Sequence, residues 1–217
     1  LPTEIFQAYD VAFDGEVLWV TTAASRLYKL DPTDGHLLGT LPQSGGAYGL
    51  CFDGEHLWTS GGMIRKIDPR TGQCLKALET PDGITFSGIA YGEGSLWAMK
   101  AGVGGREPVY RIDPETGSVL ARLRTPSTGG GWLYTLSYFN GGLWFPSSTA
   151  DGAVKVYKIS PADGSLRATL PGPADYCRGI CTDLDGGLWL VGSSYYPNAY
   201  LVETGTWMRE DPQSGTV

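Results

Sequence analysis

Four tyrosines, two aspartates, one arginine and one tryptophan are the residues best suited to chemistry in this chain: Tyr9, Asp10, Tyr48, Trp132, Tyr134, Asp175, Tyr176 and Arg178. They cluster just before short apolar runs that begin at Val11, Leu50, Leu136 and Ile180, with a further such run at Ile89. Aligning the runs puts Tyr9, Tyr48, Ser87, Tyr134 and Arg178 at one level, with Gln7, Gly46, Thr85, Trp132 and Tyr176 two residues earlier. An aromatic mouth with a few polar groups is the usual chemistry of a small-ligand pocket. A cation beside tyrosines calls for an answering charge, either Asp10 or Asp175 or an anionic or multiply hydroxylated ligand. The same set also allows catalysis, with Asp10 or Asp175 as base, a tyrosine as acid or orienting donor, and Arg178 stabilising an anion.

Other chemistries lack their residues. The sequence has no Ser-His-Asp arrangement, no cluster of metal-ligand type and no glycine-rich phosphate loop leading into a helix, so neither a cofactor nor a metal is expected. The glycines at 102–105 and 129–131 read as loop residues between strands. Cys51 and Cys181 stand where other repeats carry Ala12, Ala90 and Ser137, which suits small-residue packing. Cys177 and Cys181 are close enough for a local disulfide or a metal pair, but no other Cys or His nearby completes a site.

The elements that must position these residues are visible in residues 87–123. Two apolar runs flank Gly92-Glu93-Gly94, a hairpin signal, and two alternating runs flank Asp113-Pro114-Glu115-Thr116-Gly117, where Pro and Gly suit a tight turn. The unit recurs: Leu-Trp occurs at 18–19, 57–58, 96–97, 143–144 and 188–189, and Asp/Ser-Pro-x-x-Gly turns follow at 31–35, 68–72, 113–117 and 160–164. Spacings of 39 to 47 residues with four strands each predict an all-β fold. The expected architecture is a five-bladed β-propeller of four-stranded antiparallel blades. It forms a single domain over 1–217, with repeats at about 3–42, 43–81, 82–126, 127–171 and 172–210 and a tail at 211–217.

The fifth repeat reads in two ways. Residues 200–209 match a third strand, a short turn and an outer strand; alternatively residues 211–215 form the fifth turn and an outer strand begins after it. The first is preferred, because the second puts Glu210 where Leu30, Ile67, Ile112 and Ile159 stand. In either case short turns gather on one face of the ring and the variable loops on the other, which is where function is expected. The Leu-Trp tryptophans read as blade packing rather than a sugar-binding surface.

With 32 Gly, 14 Pro and 41% apolar residues, the chain combines many turns with ample core material. Its formal charge of −7 owes much to aspartates in the turns, where the side chain bonds its own backbone. No basic stripe is present, which argues against nucleic acid, and no run is long enough for a membrane helix. The chain begins at Leu1 rather than Met, which suggests removal of a leader or flanking sequence and tilts the location toward the extracellular or periplasmic side. The cysteines do not settle the compartment, and the oligomeric state is not legible.

The motif G-[IL]-x-[FY]-x-x-G-x-L-W at 88–97, followed by an apolar strand ending in Asp113-Pro114-Glu115-Thr116-Gly117, resembles YVTN-type and streptogramin-lyase-like bacterial β-propeller repeats. The resemblance spans nearly the whole chain and implies the fold. Streptogramin lyases build their chemistry on channel-mouth histidines with a glutamate and magnesium, whereas His36 and His56 here fall in hairpins of the opposite face. Plant-type glutamine cyclotransferases resemble it more distantly; their Gly-Glu-Gly-Trp and Asn-Glu-Leu-Glu stretches are not in this sequence. The expected function is capture of a small molecule, sugar or peptide at the mouth. The alternatives are a lyase- or cyclotransferase-type enzyme using that mouth and a protein-interaction scaffold.

Overall fold

The computed structural model describes residues 8–22, 26–42, 45, 47–100, 102–103, 107–128, 132–149, 153–172, 177–182, 188–192 and 207–210; the side chains of 103, 132, 148, 188–192 and 207–210 are not described. The first sheet is β1 (Ala8–Phe13), β2 (Leu18–Thr22), β3 (Arg26–Leu30) and β4 (Leu37–Pro42); the second is β5 (Gly49–Phe52), β6 (Leu57–Ser60), β7 (Met63–Ile67) and β8 (Cys74–Glu79). The third contains β9 (Phe86–Gly92) and β10 (Ser95–Lys100); after the short β11 (Gly102–Val103) it continues with β12 (Pro108–Ile112) and β13 (Val119–Arg124). After β14 (Trp132–Leu133), which pairs with β11, the fourth sheet is β15 (Ser137–Phe139), β16 (Gly142–Ser148), β17 (Val154–Ile159) and β18 (Leu166–Pro171). The fifth repeat gives β19 (Cys177–Thr182), β20 (Leu188–Gly192) and β21 (Trp207–Glu210). All pairings are antiparallel, and among the described residues no helix is long and apolar enough to cross a membrane.

This is an all-β propeller with four four-stranded blades, which corrects the five expected from the sequence. The fifth repeat contributes a three-stranded sheet among the described residues. The reason is the register of β21. It pairs directly with β20, setting Glu210 opposite Leu188 as Leu30 stands opposite Leu18 and Ile67 opposite Leu57. Residues 207–210, expected in the outer strand, therefore occupy the third-strand position. Register answers to every cross-strand neighbour, not to one residue. In this register the backbone of Arg209 pairs with that of Trp189, as Lys29 pairs with Trp19, Lys66 with Trp58, Arg111 with Trp97 and Lys158 with Trp144.

Those pairs recur for a physical reason. Each described cation lies over its tryptophan ring, at 5.7 Å for Lys29, 5.5 Å for Lys66, 5.3 Å for Arg111 and 5.1 Å for Lys158, within reach of the ring's negative face. Each indole N–H in turn donates five residues back: Trp19 to Asp14 Oδ2 and Trp58 to Asp53 Oδ2, both at 2.7 Å, Trp97 to the Gly92 carbonyl and Trp144 to the Phe139 carbonyl. The four tryptophans are therefore buried with their one polar atom satisfied.

The turns repeat with similar regularity. In each Asp/Ser-Pro-x-x-Gly turn the glycine N–H returns to the carbonyl of the first residue, at 2.8 to 2.9 Å, with φ of 74 to 76° at Gly35, Gly72, Gly117 and Gly164. Gly72 and Gly164 also press against the outer strand of the preceding blade: a Cβ there would meet the Pro42 carbonyl at 2.6 Å or the Arg124 carbonyl at 2.5 Å. Glycine is required twice over, by conformation and by space. The aspartates fold onto their own backbones, as Asp31 does to the Thr33 N–H and Asp163 to the Ser165 N–H.

Strands β1, β5, β9, β15 and β19 lie side by side around a central axis, β19 touching both β15 and β1. Between sheets the core is apolar, with clusters such as Trp97, Met99, Leu136, Phe145 and Ile159. Replacing Trp58, 1% exposed, by alanine removes a large core side chain, one donor to Asp53 and the ring beneath Lys66. The expected cost is about 3 to 5 kcal/mol, read as a lowered midpoint in urea denaturation; an unchanged midpoint would mean that Trp58 has no packing role.

Candidate functional site

Three inner strands leave the ladder as they reach the mouth. Ala8 pairs with Thr22 and Asp10 with Thr21, so Tyr9 is skipped; Phe86 pairs with Lys100 and Gly88 with Met99, skipping Ser87; Cys177 pairs with Gly192 and Gly179 with Val191, skipping Arg178. A β-bulge frees one residue from pairing, bends the strand and re-aims the side chain. The skipped residues Tyr9, Ser87 and Arg178 line one cavity with Tyr48, Thr85, Lys100 and Tyr134. Its volume is about 410 Å³, within the range of small-molecule sites.

The cavity wall is aromatic with two cations. The Tyr9 and Tyr48 rings lie 5.3 Å apart, tilted at 55°. The Arg178 guanidinium lies 5.8 Å from both the Tyr9 and Tyr134 rings. A flat, delocalised cation against two rings is held in orientation by them. Ser87 donates its hydroxyl to the Met99 carbonyl at 3.2 Å, which ties its chain to the end of β10, next to Lys100. Lys100 is exposed at the cavity edge.

Asp10 sits elsewhere. Its side chain has no exposed surface and does not line the cavity. Oδ1 accepts from the Val11 N–H at 3.0 Å and the Thr135 hydroxyl at 2.7 Å, Oδ2 accepts from the Leu50 N–H at 2.9 Å, and the Ile180 N–H also bonds the carboxylate. Those donors belong to β1, to β5, to the residue two before β15, and to β19. Burial pushes the carboxyl well above the ordinary aspartate range, while the four donors pull the other way. The room for it comes from glycine. At the ring positions equivalent to Asp10 and Thr135 stand Gly49, Gly88 and Gly179; a Cβ on Gly179 would lie 3.0 Å from the Asp10 Cα and 3.1 Å from Oδ1.

The structure thus brings Tyr9, Tyr48, Tyr134 and Arg178 together around one cavity and sets Asp10 beneath the ring, within it. Trp132 is in β14, beside β11, with its side chain outside the described residues; Asp175 and Tyr176 lie outside them entirely. Sequence reasoning missed Lys100, because it ends a second strand rather than beginning an inner one. It also missed the bulges, which depend on hydrogen-bond partners instead of residue type. The place of Asp10 did have a sequence signal, the glycines after Tyr48, Ser87 and Arg178.

No family model matches this chain, and no curated protein matches it. Among solved structures it is similar to the Myxococcus xanthus glutaminyl cyclase, with 16% identity over 86% of each chain and a TM-score of 0.67. It is also similar to the Kuenenia stuttgartiensis hydrazine synthase, with 14% identity over 98% of this chain and 68% of that one, TM-score 0.57. A chain of the mitotic checkpoint complex matches at 14% identity over 84% and 57%, TM-score 0.50. These likenesses establish the β-propeller fold alone. The YVTN-type resemblance finds no match at the level of a family.

Replacing Asp10 by asparagine turns one accepting oxygen into an N–H₂ group and faces it with N–H donors. Each donor left unpaired costs about 1 to 3 kcal/mol, so the variant should be clearly destabilised. The pH dependence has a definite sign. A carboxyl whose folded pKa is raised holds its proton more tightly in the folded state, so its contribution is fully present below the unfolded value, about 3.9, and declines as pH rises through the folded value. Urea denaturation from pH 4 to pH 8 should show the stability gap between the native protein and Asp10→Asn narrowing with pH. A gap that widens would contradict the raised value.

Proposed function

We propose that this chain is a binding protein that captures a small anionic or multiply hydroxylated molecule at the aromatic mouth, without chemistry on it. The observation that carries the reading is Arg178, set between the Tyr9 and Tyr134 rings on the wall of the cavity. A guanidinium fork is suited to a carboxylate, a phosphate or paired hydroxyls, and the rings offer an apolar surface to the body of the ligand. Tyr48, 44% exposed, gives that body an open side by which to enter. Asp175, Tyr176 and Trp132 belong to the proposed rim through their sequence positions.

Binding is favoured over catalysis because Asp10, one of the two proposed bases, is occupied. Asp10 accepts four hydrogen bonds beneath the cavity, and a carboxylate so held does not reach a substrate's proton. Likeness to a glutaminyl cyclase is compatible with a small-molecule mouth, but its 16% identity lends support to the scaffold only.

Isothermal titration with benzoate, against benzamide as the neutral isostere, tests the reading. Benzoate should bind saturably and more tightly than benzamide. Arg178→Ala should weaken benzoate about ten- to a hundredfold, the range for a charge-assisted hydrogen-bonded contact, with an unchanged circular-dichroism melt. Equal binding to the variant, or no preference for the anion, would overturn it.

A further inference from the structure

The inner strands have a second end, and a second level of aromatic residues lies there. We propose that the hairpin face carries a binding site of its own, separate from the mouth, for a small molecule with a methylated ammonium head group of the choline type.

Two residues beyond Val11, Leu50, Ile89, Leu136 and Ile180 stand Phe13, Phe52, Tyr91, Tyr138 and Thr182. All five are half-buried and line one recess. No residue lines both this recess and the mouth, and buried Asp10 stands between their levels. Each ring is braced from behind: Phe13, Phe52, Tyr91 and Tyr138 pack against four different apolar clusters. Tyr138 is fixed further, because its ring lies on Gly92, where no Cβ would fit, and its hydroxyl donates to Glu93 Oε1 at 2.9 Å. The rings are therefore held in place before any ligand arrives.

Aromatic residues at four of five positions around a recess favour a cation, through the negative potential of their π systems. The rim has the matching charge. The hairpins leaving this level, at 14–17, 53–56, 92–95 and 140–142, carry Asp14, Glu16, Asp53, Glu55 and Glu93 and no Lys or Arg. The cations nearest them, Lys29, Lys66, Arg111 and Lys158, belong to third strands and lie over the second-strand tryptophans, farther from the axis. A metal ion or a bare ammonium would lose its hydration against ring carbons. A methylated ammonium is weakly hydrated and presents its charge through methyl groups that pack on rings. Size agrees: the recess holds about 70 Å³, well below the cavity of about 150 Å³ that admits benzene, which suits a nitrogen with three methyls and not a sugar ring. Regularity suits this ligand too. A near-spherical cation needs no oriented donor, so a level of equivalent rings recognises it without the bulges that shape the mouth.

NMR titration of the nitrogen-labelled full chain with choline, against 3,3-dimethylbutanol as its uncharged isostere, tests the proposal. Choline should bind saturably and about three- to thirtyfold more tightly than the isostere, shifting the amides of 13–15, 52–54 and 91–94 and leaving those of Tyr48 and Ser87 in place. Tyr91→Leu, which keeps apolar bulk without a ring, should weaken choline about three- to tenfold, whereas Tyr91→Phe should bind it as the native chain does. Glu93→Gln, an exposed change that keeps an acceptor for Tyr138, should weaken choline about twofold at low salt and have no effect at high salt. Choline no tighter than the isostere, shifts confined to the mouth, or undiminished binding to Tyr91→Leu would overturn the proposal. The benzoate titration reports on the mouth alone, so either site can fail without the other.

Discussion

A carboxylate with no exposed surface, receiving N–H groups from Val11, Leu50 and Ile180 and the hydroxyl of Thr135, is the constraint on which the centre of this molecule depends. Inner strands of a propeller present unpaired backbone donors toward the axis, and buried donors without partners are costly. One side chain here answers donors from several strands at once. That solution is asymmetric: the glycine at 179 is the space left for the carboxylate, while a Cβ on Gly49 or Gly88 would meet the backbone of the next repeat. Loss of Asp10 would therefore be felt by strands forty or more than a hundred residues away in sequence.

Away from the axis the stabilising pattern is repetitive. A tryptophan in the second strand, a cation across from it in the third and an acceptor five residues earlier form a unit at the hairpin face, and the Asp/Ser-Pro-x-x-Gly turns lock the third strand to the outer one. Such units leave little to vary at that end. At the mouth, strand pairing is broken in three of the five inner strands, and the connections there are long enough for β11 and β14 to make a small ladder of their own. Regularity at one end and irregularity at the other is how a repeat fold separates stability from recognition.

Much of this was legible in the sequence, and the exceptions have physical causes. The Leu-Trp and turn spacings give the blades, because glycine, proline and aspartate at fixed offsets admit few backbone paths. The aligned positions of Tyr9, Tyr48, Ser87, Tyr134 and Arg178 give a shared level, because equivalent residues of a ring meet at its axis. Five blades were expected from the five Leu-Trp repeats, and the last strand of the fifth was misplaced on the strength of Glu210, a single residue weighed against a ladder that pairs Arg209 with Trp189. Lys100 was passed over because periodic alignment searches equivalent positions, and a bulge makes positions inequivalent. Asp10 was read with the mouth because it adjoins Tyr9, although neighbouring residues on a strand face opposite ways.

The separation of Asp10 from Arg178 also decides the electrostatics of the mouth. Had the carboxylate faced the cavity, it would have lain at the level of the guanidinium and been a direct partner for it. Its four donors hold it below instead, where burial pushes its pKa up. Arg178, braced by the Tyr9 and Tyr134 rings, is oriented without a hydrogen bond to Asp10. The plug that closes the ring and the cation that faces the cavity are one residue apart in level but independent in hydrogen bonding. A mouth built this way can change its ligand by substitution at the bulges without disturbing the strands beneath.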